Sequence, residues 1–313
     1  MRAAYASSFN PEDPLAALTV GERPEPAHEG WVTVDVRASA LNHHDLWSLR
    51  GVGLREDQLP MILGCDAAGV DPEGNEVVIY PVVREPDGKQ TILSELYPGT
   101  LAERVAVPAG NLVAKPAELS FAEAACLPTA WLTAYRMLTT KGRLPEGGSV
   151  LVQGAGGGVA TAAVVLGVAL GARVYATSRD AEKRERIAAL GATALESGAR
   201  LPERVDVVIE TVGRATFDHS VKCAKRGGRI VVSGATSGHL PEVNLRRVFA
   251  GELEILGSMM GTPEELGQLL RLCVERGIRP IIDSVHGFSD VRGAFQRLES
   301  GDVFGKVVCD HTK

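Results

Sequence analysis

A strand, a glycine-rich turn and a helix follow one another from residue 149, and this unit constrains the fold more than any other feature of the sequence. The apolar strand SVLVQ runs into the turn GAGGG and then into a helical segment of small residues, VATAAVVLGVALG. A pyrophosphate has to touch backbone N–H groups at a helix N-terminus, where a Cβ atom would block it. A strict G-x-G-x-x-G does not fit, but Ala155-x-Gly157-x-x-Ala160 fits if alanine is allowed at both ends. The context of the turn predicts a dinucleotide-binding βαβ unit rather than a turn used only for close packing.

Strands and helices continue to alternate beyond this unit. The segments ARVYATS, VDVVIETVG, GRIVVSGAT and ELEILGSMMG are typical of buried strands, and DAEKRERIAALG and ATFDHSVKCA are typical of helices. A helical crossover returns the chain to the start of the next parallel strand, so this alternation predicts a doubly wound parallel sheet.

The segments on either side have a different pattern. The first ~118 residues contain short strands such as GWVTVDVRASAL and EVVIYPVV, separated by turns. Ser120 and Glu123 then have the spacing of a helix capping box, and the helical pattern that follows is interrupted at Pro128. The last ~50 residues combine two helical patterns with short strands, and the pattern alone does not assign them to either part.

Composition argues against several classes of protein. The net charge of −6 and the lack of a concentrated basic segment argue against a nucleic-acid partner. No apolar run reaches the roughly 18 residues needed to cross a bilayer, so no membrane association is expected. The N-terminal MRAAYASSFN has no apolar h-region, and the five cysteines are scattered without a CxxC pair. We therefore expect a cytoplasmic protein with reduced cysteines.

The residues at the end of the second strand of the alternating region indicate whether the nucleotide is NAD or NADP. An NAD site usually has an acidic residue there, whereas this chain has Ser178 and Arg179. A hydroxyl and a guanidinium suit the 2′-phosphate of NADP, and Lys183 lies one turn further on. Alternatively, these cations belong to a solvated helix start, and Asp180 keeps NAD open as the cofactor.

Histidine, cysteine and carboxylate side chains lie close together in ALNHHDLW and LGCDAAG, and these are side chains that bind zinc. His43 and His44 are adjacent, and in an extended segment they would point to opposite faces and could not easily hold one ion. A mononuclear site built from His44, Cys65 and Asp66 stays open from the sequence alone.

A series of motifs resembles the medium-chain dehydrogenase/reductase superfamily over nearly the whole chain. In order they are MRAAY, ALNHHDLWSLRG, LGCDAAGV, GNEVVIYP, GTLAERVAVP, LTAYRML, VLVQGAGGGVATAA, ATSRDAEKRERIAALGA, ETVG, GRIVVSGA and RLESGDVFGKVV. The resemblance implies an α/β chain with a GroES-like, mostly β catalytic domain and a Rossmann domain with a doubly wound parallel sheet. It assigns residues 1–119 and 257–313 to the catalytic domain and residues 120–256 to the Rossmann domain, with the active site in the cleft.

The resemblance also bears on zinc. In zinc-containing members, the three ligand positions correspond here to Asn42, Cys65 and Thr129, and the acidic residue that follows the second ligand corresponds to Asp66. An amide and a threonine hydroxyl are poor zinc ligands beside thiolate and imidazole. The segment PVVREPDGKQTILSELYPG, which matches a four-cysteine zinc loop, has no cysteine. We therefore expect no zinc, as in the quinone oxidoreductase-like branch, although Trp47 stands where that branch commonly has tyrosine.

The site residues carried over from the resemblance fall into two groups. The catalytic positions are Asn42, His44, Trp47 and Asp66, with His44 as a candidate proton donor if its pKa is near the ordinary ~6.5, or else as a histidine satisfied by hydrogen bonds. The cofactor positions are Ala155, Gly157, Gly158 and Val159 for the pyrophosphate, Asn42, Thr129 and Thr133 for the nicotinamide, Ser178, Arg179 and Lys183 for the 2′-phosphate, Val212, Gly213, Gly234 and Ala235 for the riboses, Met259 and Met260 near the ring, and His43 and Lys306 as cationic helpers.

The expected activity is hydride transfer from NADPH to a quinone or an α,β-unsaturated carbonyl without zinc, in a homodimer formed through the edge of the Rossmann sheet. Two alternatives remain: an NAD(P)-dependent alcohol or aldehyde dehydrogenase, and an NADPH-binding protein with little turnover. The sequence does not name the substrate, because the walls of the pocket come from loops.

Overall fold

A computed structural model describes every residue from Met1 to Lys313. The strands, numbered along the chain, are β1 Arg2–Ala6, β2 Leu18–Glu22, β3 Val32–Ala40, β4 Met61–Ile62, β5 Asp66–Val70, β6 Glu76–Ile79, β7 Val82–Arg84, β8 Gln90–Ile92, β9 Arg104–Val107, β10 Leu112–Ala114, β11 Ser149–Val152, β12 Arg173–Ser178, β13 Thr193–Glu196, β14 Val205–Glu210, β15 Ala224–Val232, β16 Glu254–Gly257, β17 Ile282–Gly287 and β18 Lys306–Asp310. The α-helices are α1 His43–Leu49, α2 Phe121–Ala125, α3 Leu132–Arg136, α4 Gly158–Ala169, α5 Ala181–Ala189, α6 Phe217–Cys223, α7 Leu245–Ala250, α8 Pro263–Glu275 and α9 Val291–Glu299.

The chain forms two compact units. The first contains Met1–Thr129 and Thr262–Lys313, and the second contains Ala130–Gly261. The chain thus leaves the first unit after residue 129 and returns after residue 261, where the resemblance implied boundaries after residues 119 and 256. The C-terminal segment, which its pattern alone did not assign, belongs to the first unit.

The second unit is built on a six-stranded sheet in the order β13-β12-β11-β14-β15-β16, with every pair of neighbours parallel. This topology confirms the predicted doubly wound sheet. Its central strands are apolar along their length because both faces are covered, and Val150, Leu151, Val208 and Ile209 are fully buried. The edge strand β13 was not predicted, because its short and partly exposed sequence TALE lacks the apolar run of the other strands.

The first unit is mostly β. Its main sheet runs in the order β10-β6-β5-β3-β18-β17, and β9 also pairs with β3. The strand β18 is antiparallel to β3 and parallel to β17, so the C-terminal segment lies inside the sheet that the N-terminal segment begins. The strands β2, β1 and β4 form a small sheet, and β7 and β8 form a hairpin.

The segment HHDLWSL is helical, which corrects the extended conformation assumed for His43 and His44. Helix α1 begins after Asn42, whose backbone N–H donates to Asp45 Oδ2 at 2.8 Å. The helix buries Leu46 and Leu49, three residues apart on one face. The two histidines therefore lie in the first turn of a helix, and the argument from opposite strand faces does not apply.

Two proline positions explain other departures from the expected pattern. EVVIYPVV forms two strands, β6 and β7, because the chain breaks at Tyr80 and Pro81. The capping box at Ser120 is confirmed, with Glu123 N donating to Ser120 Oγ at 3.2 Å. After it, Pro128 lies in a π-helical turn, Leu127–Trp131, before α3 begins. No helix combines the length and the apolar character that a membrane span requires.

The buried imidazole of His311 makes the stability of the protein pH-dependent. Its ring stacks on Phe288 at 4.2 Å, and its Nε2 lies 3.0 Å from Ser39 Oγ. Burial lowers the pKa of His311 to about 4, with Asp310 opposing the shift. In the unfolded chain His311 binds a proton below pH ~6.5, whereas in the folded chain it binds one only below about pH 4.

We therefore expect the free energy of unfolding to fall by up to about 3 kcal/mol as the pH decreases from ~6.5 to ~4. Urea unfolding at several pH values measures this loss. His311→Phe should reduce the slope, whereas His239→Phe, at an exposed position, should leave it unchanged. Equal slopes for the His311 variant and the wild type would contradict the assignment.

Candidate active site

The glycine turn of the second unit leads from β11 into α4. Gly157 is the N-cap of this twelve-residue helix, and no side chain caps it, so the first-turn N–H groups are available to a ligand. Gly157 has an ordinary negative φ of −77°, and a Cβ atom added there would meet nothing within 4 Å. Neither backbone conformation nor packing requires glycine at this position. A ligand that approaches the backbone closely does require it, so the turn fits a pyrophosphate.

The two glycines before it have reasons within the protein. Gly154 has a φ of +66°, and an added Cβ would lie 2.5 Å from Val212 Cγ2. Gly156 has a φ of +149°, and an added Cβ would lie 3.1 Å from Lys183 Cδ and 3.7 Å from its Nζ. The Lys183 side chain therefore lies over the turn and adds positive charge beside the phosphate position.

The other predicted nucleotide residues lie at the carboxyl ends of neighbouring parallel strands. Val212 and Gly213 follow β14, and Gly234 and Ala235 follow β15. A Cβ added at Gly213 would lie 2.9 Å from Ala235 Cα. Together with the contact of Gly154 and Val212, this brings the glycine turn and both ribose-side pairs together, as expected where a doubly wound sheet binds its ligand.

A buried carboxylate holds the turn after β14. Glu210 is fully buried and accepts hydrogen bonds from the backbone N–H groups of Val212 at 2.8 Å and Gly213 at 3.0 Å. Thr216 Oγ1 and Ser220 Oγ donate to the same carboxylate at 2.9 and 2.6 Å. Sequence reasoning did not identify Glu210, although a lone glutamate at the end of an otherwise apolar strand was the available signal.

A second buried group joins this network to the glycine turn. Gln153 Nε2 donates to Ser220 Oγ at 3.0 Å, and its Oε1 accepts from Thr177 Oγ1 at 2.8 Å. Thr177 Oγ1 in turn accepts from Gly154 N at 3.2 Å. The ends of β11, β12 and β14 are thus fixed by one set of buried hydrogen bonds, which orders the turn before any ligand binds.

The residues at the end of β12 are the ones expected to contact the adenosine ribose. Asp180 caps α5, since its Oδ1 accepts from Lys183 N at 2.9 Å, and hydrogen bonds to backbone N–H groups lower its pKa. Ser178 is buried, and Arg179 is exposed. Asp180 thus caps α5 through one of its oxygens, and the Ser178 hydroxyl and the Arg179 guanidinium precede it in the chain.

The first unit contains a buried lysine bonded to two of the predicted catalytic residues. Lys306 Nζ donates to Leu41 O at 2.7 Å, to Asn42 Oδ1 at 2.6 Å and to Asp66 Oδ2 at 3.1 Å. Asn42 Nδ2 donates to the same Asp66 oxygen at 2.9 Å. Lys306 and Asp66 are 3% and 0% exposed, and Asp66 Oδ1 is buried without a hydrogen-bond partner. We call Lys306, Asn42 and Asp66 the lysine cluster.

The two histidines differ from what the sequence suggested. Local desolvation, Lys306 and Arg50 lower the pKa of His43, so it is neutral near pH 7 and does not act as the cation expected there. Burial disfavours a charged His44, but Cys65, Glu95 and Asp45 outweigh it and raise the pKa of His44 to about 11. An efficient proton donor has a pKa near the working pH, so the structure does not support that role for His44. Its ring is satisfied within the first unit.

The remaining predicted residues lie in varied surroundings. Thr133 is buried in α3, and Thr129 Oγ1 is buried in the π-helical turn without a hydrogen-bond partner. Trp47 is 39% exposed and Met259 is 84% exposed, whereas Met260 is half-buried. Contacts of these residues with a nicotinamide or a substrate stay predictions.

Comparison with known proteins agrees with this architecture. Residues 28–117 match the alcohol dehydrogenase GroES-like domain, and residues 158–275 match the zinc-binding dehydrogenase family. The chain is 34% identical to 2-methylene-furan-3-one reductase of Solanum lycopersicum, over 90% of this chain and 71% of that protein. The chain belongs to the medium-chain dehydrogenase/reductase superfamily.

Solved structures of the superfamily include proteins of both chemical types considered above. An NAD-dependent alcohol dehydrogenase superimposes with a TM-score of 0.88 at 34% identity, covering 99% of both chains. The 2-octenoyl-CoA carboxylase reductase CinF, solved with NADP and 2-octenoyl-CoA, superimposes with a TM-score of 0.89 at 25% identity, covering 99% of this chain and 87% of that one. An oxidoreductase that uses a nicotinamide nucleotide is therefore the activity that these relatives share.

The superfamily's zinc position does not fit a metal in this chain. Asn42 offers an amide whose oxygen is bonded to the Lys306 ammonium, and Thr129 offers only a hydroxyl. Cys65 is the one good ligand of the three, and its sulfur contacts Leu93 O, His44 and Ser94 instead. The Lys306 ammonium already occupies this position and would repel a metal cation.

Removal of the Lys306 charge should destabilise the protein, because Asp66 would be buried without a counter-ion. Lys306→Met leaves that carboxylate without its counter-ion, and we expect a loss of about 3–5 kcal/mol in the free energy of unfolding. Adding Asp66→Asn should restore part of the loss. The control Lys225→Met breaks a partly exposed ion pair with Asp206 and should cost about 1 kcal/mol or less. Urea unfolding of the variants measures these differences, and equal losses for the two lysine variants would contradict the argument.

Proposed function

We propose that the chain is an NADPH-dependent reductase that transfers hydride to an α,β-unsaturated carbonyl or a quinone without zinc. The observation that carries the proposal is the lysine cluster. Oxidation of an alcohol at a metal site relies on a Lewis acid to stabilise the alkoxide. The negative charge of an enolate or a hydroquinone anion is delocalised, so it needs less stabilisation than an alkoxide. Reduction of an enone or a quinone therefore suits a site that has the lysine cluster in place of metal ligands.

The residues of the chain have defined tasks in this reaction. Bound NADPH would supply the hydride, and the balance is enone plus NADPH plus one proton to saturated carbonyl plus NADP⁺. The N–H groups of Gly157, Gly158 and Val159 hold the pyrophosphate at the start of α4. Asn42, fixed by Lys306 and Asp66, presents a preorganised amide and loses no ordering entropy during the reaction. Water delivers the proton, because His44 does not titrate in the neutral range.

The preference for NADPH is supported by the end of β12. Ser178 and Arg179 can both bond to a 2′-phosphate, and a charge-assisted bond of this kind contributes about 1.5–3 kcal/mol. Asp180 accepts from Lys183 N at the start of α5, so its carboxylate is directed at the helix backbone. Lys183 over the glycine turn adds a further positive charge.

An alcohol dehydrogenase is the second candidate. The likeness to the NAD-dependent alcohol dehydrogenase favours it, because the identity to that chain is 34% over 99% of both chains. The two candidates differ in cofactor and in substrate oxidation level, so one set of assays separates them.

We also propose a homodimer formed through β16, the last strand of the six-stranded sheet. An edge strand presents unpaired backbone N–H and C=O groups that can pair with a second copy. Apolar side chains next to this edge are exposed: Leu245 by 70%, Phe249 by 71% and Ile255 by 43%. Pairing of two β16 strands about a two-fold axis would cover such a surface.

The chelator-treated protein should oxidise NADPH with α,β-unsaturated ketones or quinones, and should prefer NADPH to NADH. Arg179→Ala should raise KM for NADPH by about 10- to 100-fold, from the loss of a charge-assisted bond, and leave KM for NADH nearly unchanged. Arg200→Ala, an exposed arginine elsewhere in the same unit, is the matched control.

Alcohol oxidation with NAD and no reduction of any enone or quinone would refute the reductase. Measurable NADPH binding without turnover on either panel would point to a binding protein. An equal effect of Arg179→Ala on both nucleotides would remove this residue from the 2′-phosphate site.

Ile255→Arg should convert the dimer to a monomer, because it places a buried charge on each side of the two-fold axis. Analytical ultracentrifugation measures the change. Leu96→Arg, at a position 48% exposed in the first unit, should leave the dimer intact. A wild-type protein that sediments as a monomer at all concentrations would refute the proposed interface.

A further inference from the structure

His219 is a half-buried histidine of the second unit that the proposed hydride transfer does not use. It lies in α6, and both of its ring nitrogens have partners. Gln153 Nε2 lies 2.9 Å from His219 Nδ1, and His219 Nε2 lies 2.9 Å from Ala199 O. Gln153 directly follows β11, and Ala199 lies between β13 and β14. The imidazole therefore joins α6 to two other segments of the unit.

These two partners determine which ring nitrogen carries the proton. A carbonyl oxygen can only accept, so His219 Nε2 donates to Ala199 O. Cys223 Sγ lies 3.3 Å from the same nitrogen and is a weak acceptor for the same proton. In the neutral ring the other nitrogen, Nδ1, is then an acceptor, and the NH₂ group of Gln153 donates to it.

The Gln153 amide is fully buried and is held in one orientation. Its Nε2 group has two hydrogens, one for His219 Nδ1 and one for Ser220 Oγ at 3.0 Å. Ser220 gives its own hydrogen to Glu210 Oε2 at 2.6 Å, so towards Gln153 it can only accept. The amide oxygen, Oε1, accepts from Thr177 Oγ1 at 2.8 Å. A rotated amide would place its oxygen against two acceptors, so His219 and Ser220 together fix the orientation.

The orientation of this amide affects the glycine turn through Thr177. Because Gln153 Oε1 takes the Thr177 hydrogen, the Thr177 oxygen accepts from Gly154 N, at 3.2 Å. Gly154 is the first residue of the turn and has a φ of +66°. Without an acceptor at His219, one buried N–H of the amide would have no partner, and the amide would lose its single orientation. A rotated amide would direct Nε2 at the Thr177 oxygen, in competition with Gly154 N.

We infer that His219 is a positioning residue of the nucleotide site. Its Nδ1 fixes the Gln153 amide and, through Thr177, holds the glycine turn in the conformation that binds the pyrophosphate. The inference rests on the proposed function, which assigns the pyrophosphate to this turn. It concerns NADPH and NADH equally, because the pyrophosphate is common to both.

Two variants separate the roles of the two ring nitrogens. His219→Asn keeps an acceptor near the position of Nδ1, and His219→Gln keeps a donor near the position of Nε2. We expect His219→Gln to raise Kd by about 10-fold for both nucleotides, because fewer molecules have the ordered turn, and His219→Asn to bind nearly as tightly as the wild type. Titration calorimetry of the full chain with NADPH and with NADH measures these constants.

The order of the two variants distinguishes positioning from a purely structural role. Asparagine has a lower helix propensity than glutamine, so the His219→Asn variant should be the less stable of the two. Urea unfolding measures this difference. A purely structural role would make the less stable variant bind more weakly or make both bind alike, and either result overturns the inference.

Amide hydrogen exchange of the nucleotide-free protein, followed by NMR, measures the turn itself. The Gly154 N–H should exchange about 10-fold faster in His219→Gln than in the wild type, and His219→Asn should keep the slow rate. Equal rates in the two variants overturn the inference. A wild-type protein that binds neither nucleotide refutes the proposed function, whereas the exchange rates still decide the role of His219.

If His219→Gln fails to fold, the tautomer of the wild-type ring decides. The inference requires a His219 ring with its proton on Nε2 and an unprotonated Nδ1 that accepts a hydrogen bond. Nitrogen-15 NMR of the histidine side chains distinguishes the two tautomers, and the signal of His219 is the one that His219→Asn removes. A proton on Nδ1 in the nucleotide-free wild type overturns the inference.

Discussion

A buried ammonium determines how the first unit is assembled. Lys306 begins β18, more than 230 residues after the residues to which it is bonded, and its three acceptors lie on Leu41, Asn42 and Asp66. A charge this deeply buried is tolerated only when carbonyl and carboxylate oxygens surround it. The C-terminal segment must therefore return beside β3 and β5, and the lysine cluster exists only when the discontinuous unit has closed.

The second unit depends on a different constraint, which is the ordering of its strand ends. Glu210 and Gln153 are buried polar groups in an otherwise apolar sheet, and each satisfies backbone or side-chain donors from neighbouring segments. Their hydrogen bonds hold the glycine turn and the turn after β14 in place. Burying Glu210 and Gln153 costs desolvation free energy. In return, the turns at this edge of the sheet are already ordered, so a nucleotide loses less binding free energy to ordering them.

Sequence reasoning succeeded where one local pattern decided the structure. The parallel strands of the second unit are long apolar runs, and the capping box at Ser120 needs only two residues three positions apart. It failed at α1, although Leu46 and Leu49 have the spacing of one helix face and Asn42 and Asp45 have the spacing of a capping box. It also missed Glu210, Gln153 and Glu95, whose roles depend on partners that are 2 to 67 positions away in the chain.

The sequence by itself determined the doubly wound sheet, the position of the glycine turn, the polar residues after β12 and the membership of a superfamily. The first three follow from residues that are neighbours in the chain, so their physical consequences can be derived locally, and the superfamily follows from the order of short motifs along the chain. Only the tertiary structure decided that Lys306 joins Asn42 and Asp66, that Gln153 joins Thr177 and Ser220, and that His44 faces a thiol and a carboxylate. Protonation state and ligand geometry depend on the few ångströms around a side chain, and those neighbours come from distant segments that only folding brings together.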